Sequence, residues 1–284
     1  MSVAIVVKVS EGLVLGADSA ATISGRVEGP QGVQEGVLKT YYNARKLLQV
    51  GNLPIGVLTW GMGQIGLRTI ESLVREWEHE QYWQSIEDYK HHHNEGDNRI
   101  HVRSCAEALR AHLNRVYSDI AEFRDLPLER RPGLGIVVAG YSEGEFFPEI
   151  WRFAVPSDNE VVNQRPDRDG KPDFGASWFG LTEAIVRLHW GRADEAPRIL
   201  SERFGLPEQD IRAALEPLQY QIPFAVMPLQ DAIEYAYYML NVTIGRYRFV
   251  IGPELCGGQI EIAAITQGEF NWISRKSWKL GQGG

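Results

Sequence analysis

The sequence predicts an α+β fold, a four-layer αββα sandwich of two antiparallel sheets between helical layers. Three observations predict it. Strand-sized apolar runs arrive in pairs joined by short turns, the pattern of antiparallel hairpins. Segments of helical period fall in groups between those pairs. The order is therefore strands, two helices, strands, helices, strands, and helices grouped in this way cover the outer faces of stacked sheets. With no internal repeat and no long linker, residues 1–284 read as a single domain.

Taken in order, Val3–Val9 and Leu13–Asp18 read as two buried strands joined at Ser10-Glu11-Gly12. Residues 24–37 are glycine-rich, contain Pro30 and read as a loop. Lys46–Val50 and Ile55–Trp60 form the next pair, split by Gly51-Asn52-Leu53-Pro54. The period then changes: Ile65, Ile70, Leu73, Val74 and Trp77 share one helical face, so a helix is expected from near Gly63 past Glu80. A polar stretch, Tyr89–Arg99, precedes a second helix over Val102–Phe123. Leu134–Tyr141 and Glu149–Val155 pair as strands, and 156–174 reads as a surface loop. A third helix covers Leu181–Trp190. Residues 191–226, broken by Pro197, Pro207 and Pro217, read as an insertion of one or two short helices. A long helix over Leu229–Tyr247 and strands at Gln259–Thr266 and Phe270–Ser274 close the chain.

Composition narrows the function. A net charge of −8 argues against broad nucleic-acid binding, which needs a basic face. No apolar run approaches the length of a spanning helix, and the N-terminus lacks the basic and apolar regions of a signal peptide. Cys105 and Cys256 give neither a disulfide framework nor metal spacing, so a reducing cytoplasm is the simplest compartment.

Chemistry enters at Ser2. Methionine aminopeptidase removes Met1 when the next side chain is this small. The new terminus would carry a hydroxyl nucleophile and an α-amine on one residue, with the amine titrating near pH ~8 and able to act as base. Such a nucleophile needs a charge that lowers its pKa, a carboxylate that orients the site and an N–H for the oxyanion. Lys46, Asp18 and Gly61 stand at strand ends where they could supply these.

The segment SVAIVVKVSEGLVLGADSAAT resembles the opening of the proteasome β-subunit family, which includes the bacterial HslV and Anbu-type homologues. Sixteen residues separate Ser2 from Asp18, as between nucleophile and acid in that family. Asn43-Ala44-Arg45-Lys46-Leu47 resembles the lysine segment, Thr59-Trp60-Gly61 the oxyanion strand end, and Cys256-Gly257-Gly258-Gln259-Ile260-Glu261-Ile262 the paired-glycine start of a late strand. The resemblance is dense over residues 2–66. It implies Ser2 as nucleophile, Asp18 and Lys46 tuning it, and the Gly61 N–H as oxyanion donor. It implies that Thr22 and Gly61 bond an extended peptide, and that Ala21, Ala44, Thr59 and Gly63 shape a specificity pocket. It further implies a homo-oligomer, as rings or an open spiral, acting on peptide or unfolded protein without metal or cofactor. Only Met1 removal would be needed for activation, and any ATPase partner stays undefined.

The sequence departs from the family in its serine nucleophile, where threonine is usual. The family's serine near the third helix and its Asp and Ser before the paired glycines are also missing. Ser177-Trp178-Phe179-Gly180 and Pro253-Glu254-Leu255-Cys256 stand in those stretches, with Ser177 and Glu254 as the nearest substitutes. Two other functions stay open: a catalytically silent assembly subunit, and a small-molecule amidohydrolase on the same fold.

Three motifs compete with this reading. Gly61-Met62-Gly63-Gln64-Ile65-Gly66 matches G-x-G-x-x-G, but a dinucleotide site needs a parallel βαβ unit. His91-His92-His93 lacks a further ligand nearby, and adjacent helical positions diverge. Tyr235, Tyr237, Tyr238 and Met239 form a stripe suited to a core or a subunit interface.

Overall fold

The computed structural model describes residues 2–29, 32–81, 83, 85–92 and 99–277. It opens with a hairpin of β1 (Val3–Val9) and β2 (Gly12–Ala17), buried throughout. Burial on both faces explains the near-continuous apolar run. Val3, Ile5, Val7 and Val9 pack on one side, Ala4 and Val6 on the other.

Next come β3 (Ala21–Gly29) and β4 (Gly32–Tyr41), paired as a long antiparallel hairpin. The loop expected over 24–37 is therefore corrected. The ladder sets glycine against glycine, Gly25 opposite Gly36 and Gly29 opposite Gly32. Glycine weakens strands but does not break a paired one.

The chain continues through β5 (Leu47–Gln49) and β6 (Ile55–Gly61), then a small hairpin of β7 (Gln64–Ile65) and β8 (Arg68–Thr69). Only then does α1 (Ile70–Glu80) begin, later than expected from Gly63. Glycines 63 and 66 each disfavour helix by about 1 kcal/mol. Thr69 supplies the true cap, its hydroxyl accepting from the Ser72 N–H at 3.2 Å. The G-x-G-x-x-G stretch thus runs into a hairpin among antiparallel strands, with no βαβ unit around it among the described residues.

Helix α2 (Ile86–His92) runs into the start of the polar stretch Tyr89–Arg99, with His91 and His92 exposed in its last turn. His93 lies outside the described residues. After α3 (Val102–Ser118) and the short α4 (Ala121–Arg124) come β9 (Leu134–Gly140), β10 (Glu149–Val155) and the two-residue β11 (Val162–Asn163). Strand β12 (Gly175–Gly180) was not expected, and it leads into α5 (Glu183–Trp190). Residues 191–226 hold α6 (Ala196–Phe204) and α7 (Glu208–Leu215) plus two single-turn 3-10 segments. Helix α8 (Leu229–Phe249) precedes β13 (Glu261–Ile265) and β14 (Phe270–Ser274).

The strands build two five-stranded sheets, ordered β12-β1-β2-β13-β14 and β11-β10-β9-β6-β5. Every pairing in them is antiparallel. Leu13, Leu15, Leu47, Leu58 and Val137 meet between the sheets, each side chain contributing about 1.5–3 kcal/mol by burial. Leu73, Trp77, Leu109 and Leu113 of α1 and α3 pack with Ile136 and Phe153 of the second sheet. On the first sheet lies α8, with Ala232, Ala236, Met239, Leu240 and Thr243 turned inward at helical spacing. The tyrosine stripe divides: Tyr235 packs against this core, while Tyr237 and Tyr238 are exposed. Among the described residues no helix is long and apolar enough to cross a membrane.

Candidate active site

Ser2 sits immediately before β1 and is only 4% exposed. Its carbonyl accepts from the Leu181 N–H at 2.8 Å, at the point where β12 leaves the sheet. The adjacent Gly180 pairs with Val3 and has φ +79°, and any Cβ there would collide with the Ser2 carbonyl oxygen. Only glycine lets the chain pass so close.

Asp18 follows β2 and is fully buried, 0% exposed. Four donors converge on its carboxylate. Oδ1 accepts from the Val3 N–H at 3.1 Å and the Lys46 ammonium at 2.6 Å. Oδ2 accepts from the Ala20 N–H at 3.1 Å and the Gly257 N–H at 3.0 Å. A buried carboxylate is tolerable only when satisfied in this way. Asp18 thus links the residue after Ser2 to Lys46 and to the paired glycines.

Lys46 is 6% exposed and held by the short strand pair β5–β6, its carbonyl accepting from the Thr59 N–H at 2.9 Å. Burial lowers its pKa from 10.5, and the Asp18 contact opposes that shift by favouring the ammonium. Burial drives the Cys256 thiol up to about 12, with the Asp18 charge adding to it, so this cysteine stays protonated at neutral pH.

A second layer of bonds fixes the frame. The Ser19 hydroxyl donates to the carbonyls of Gln259 at 2.7 Å and Tyr42 at 3.1 Å, and its N–H donates to the Gly257 carbonyl at 3.0 Å. The Ala44 N–H donates to the Ser19 carbonyl at 2.9 Å. These bonds tie residues 18–20, 42–44 and 257–259 to one another. Glu261, 1% exposed, lies opposite Ala17 in the ladder, and its Oε1 accepts from the Lys276 N–H at 3.3 Å while Oε2 has no partner. Burial raises its pKa above 4.5, opposed by that bond and by the positive charges of Lys276, Arg45 and Arg275.

Gly61 ends β6 opposite Leu134, with φ +93°, and a Cβ there would come 2.5 Å from the Gly133 carbonyl oxygen. Trp60 stacks on Phe179 at 4.4 Å, which ties the end of β6 to the end of β12 beside Ser2. Ala21 and Thr22 begin β3, and the Thr22 hydroxyl is buried without a partner. Ala44 is half-buried, Thr59 buried and Gly63 exposed.

Ser177 and Glu254 are not at this centre. Ser177 pairs with Val6, down the strand from Ser2. The Glu254 carboxylate accepts from the exposed Tyr42 hydroxyl at 2.5 Å. Two backbone groups do reach the centre, the Leu181 N–H at the Ser2 carbonyl and the Gly257 N–H at Asp18, and they leave no side-chain signature to read.

No family model matches the chain, and no curated protein does. Among solved structures it is similar to an Anbu (Gly-1) mutant from Hyphomicrobium sp. strain MC1, with a TM-score of 0.53 and 12% identity, over 97% of this chain and 86% of that one. The chain therefore shares, distantly, the fold of that Anbu protein.

Proposed function

We propose that the chain is an N-terminal serine hydrolase of proteasome-like architecture, a single four-layer αββα domain with a helical insertion at 191–226, that cleaves amide bonds in peptides. The observation that carries this reading is the buried Lys46–Asp18 pair at 2.6 Å, whose Asp18 also accepts from the N–H of Val3, the residue beside Ser2. A lysine so buried, far from solvent partners, has few structural reasons to be there.

In this mechanism Met1, which lies outside the described residues, is removed and frees the Ser2 amine. The Ser2 Oγ attacks the scissile carbonyl while the amine takes its proton. The Lys46 charge holds down the hydroxyl's pKa, and Asp18 positions Lys46. The Gly61 N–H stabilises the oxyanion. Collapse expels the amine product, which takes the proton from the Ser2 ammonium. Water, deprotonated by the amine, then hydrolyses the ester on Ser2. Thr22, at the start of β3, and Gly61, at the end of β6, would bond an extended peptide, and Ala21, Ala44, Thr59 and Gly63 would shape the side-chain pocket. The enzyme would act in the cytoplasm as a homo-oligomer, ring or open spiral.

A second reading, a silent assembly subunit, is favoured by the burial of Ser2 itself. Intact mass before and after an epoxyketone, which forms a ring with an N-terminal amino alcohol, separates the two. Loss of Met1 and a single adduct, absent in Ser2→Ala, is expected. Retained Met1 with no adduct would overturn the enzyme reading.

A further inference from the structure

Away from Ser2, one buried polar atom is left without a hydrogen bond in a setting that suits a cation. His112 on α3 is 5% exposed, and its Nε2 has no hydrogen-bond partner. Helix α1 packs against α3 and presents Glu76 and Glu80 to it, one helical turn apart on the same face. Glu76 Oε1 stands 4.0 Å from the orphan Nε2, and Glu80 Oε2 stands 3.3 Å from Nδ1. One ligand atom from each of the three residues lies within 4.8 Å of the others.

We propose that Glu76, Glu80 and His112 form a divalent-cation site, suited in ligand type to Zn2+, that staples α1 to α3. One imidazole and two carboxylates are ligands zinc accepts. Two ligands of a tetrahedral zinc sit roughly 3.3–3.5 Å apart, given bond lengths of about 2.0–2.2 Å. The 4.0 Å separation therefore needs closure of about half an ångström. Glu76 and Glu80 are part-exposed side chains and can supply it by a rotamer shift. Ligation at Nε2 puts the ring proton on Nδ1, where Glu80 Oε2 at 3.3 Å accepts it and leaves Glu80 Oε1 for the cation, while Arg115, 3.1 Å from Nδ1, turns away.

Two arginines share the neighbourhood. Arg68 pairs with Glu76 at 2.7 Å, and Arg115 contacts Glu80 at 3.0 Å and Nδ1 at 3.1 Å. Both pairs are solvent-exposed and weak, so a cation can compete for the carboxylates. Neither arginine bonds Nε2.

The test is zinc retention. The full-length protein is equilibrated with zinc chloride, passed through gel filtration and assayed for metal, and its affinity is measured against a chromophoric chelator. One zinc per chain is expected, with affinity falling at least about tenfold in both Glu76→Gln/Glu80→Gln and His112→Gln. The double variant alters part-exposed side chains and decides the matter even where His112→Gln fails to fold. No retained zinc in the wild type, or equal affinity in the double variant, overturns the proposal. The latter result would assign the metal to other histidines, such as His91 and His92.

Discussion

Replacing Asp18 by asparagine should be among the most damaging isosteric changes in this chain. The carboxylate divides its four donors evenly, Val3 and Lys46 on Oδ1, Ala20 and Gly257 on Oδ2. An asparagine keeps one acceptor and turns an NH2 toward the other pair. Whichever way the amide is turned, two buried donors meet a donor. Hydrogen bonds to a charged acceptor are worth about 1.5–3 kcal/mol each, so the two lost contacts cost about 3–6 kcal/mol. That compares with a total stability of about 5–15 kcal/mol for a typical domain. The surviving acceptor is also neutral, which leaves Lys46 without its counter-charge. Urea unfolding of wild type, Asp18→Asn, Lys46→Met and the double variant forms a thermodynamic cycle. The double variant should be less damaged than the sum of the singles, since Lys46→Met removes the unpaired ammonium. An Asp18→Asn midpoint within about 1 kcal/mol of wild type, or simple additivity, would refute the four-donor account.

Three further outcomes follow from the same geometry. Gly180→Ala places a methyl against the Ser2 carbonyl at φ +79°, so epoxyketone adduct formation should slow by about a hundredfold, because small misplacements of a nucleophile are costly; an unchanged rate would detach Gly180 from the site. Glu261 binds its proton more tightly folded than unfolded, so the stability it contributes is full below pH 4.5 and is lost as pH rises through the folded value. Glu261→Gln should therefore gain on wild type in urea midpoints as pH rises from 4.5 through the raised folded value, and a constant difference would refute this. Ser2→Thr, which adds a rotamer-restricting methyl while still permitting Met1 removal, should speed adduct formation by about twofold to fivefold, and slower labelling would show that the pocket has no room for it.

The parts of the fold that were legible are those whose signal is local. The hairpin at 3–18 declares itself through continuous apolar runs and a turn, and the face of α8 through spacing alone. Lys46 and Asp18 stand out because both lie at strand ends, and the structure does bring them together. Strand β12 escaped because GASWFG is short, bounded by glycines and without alternation; it is a strand because β1 needs a partner on its outer side. The β3–β4 hairpin escaped because its glycines look like punctuation until they are seen facing one another across a ladder. Gly257 and Leu181 act through main-chain N–H groups, which every residue but proline carries, so only tertiary structure can select them. The delayed start of α1 was readable from Thr69, had its capping role been weighed above the hydrophobic period.

The wiring of Asp18 also sets a clock. Its partners come from residues 3, 20, 46 and 257, so the last contact is available only when residue 257 has left the ribosome. Trimming of Met1, on the proposed mechanism, would belong to the earliest stage of synthesis, when Ser2 has neither β12 beside it nor the glycine pair behind its acid. On the proposed mechanism, a nascent chain would carry a free amine and hydroxyl long before the groups that arm them are in place. The order of translation would itself keep the nucleophile harmless until folding is complete.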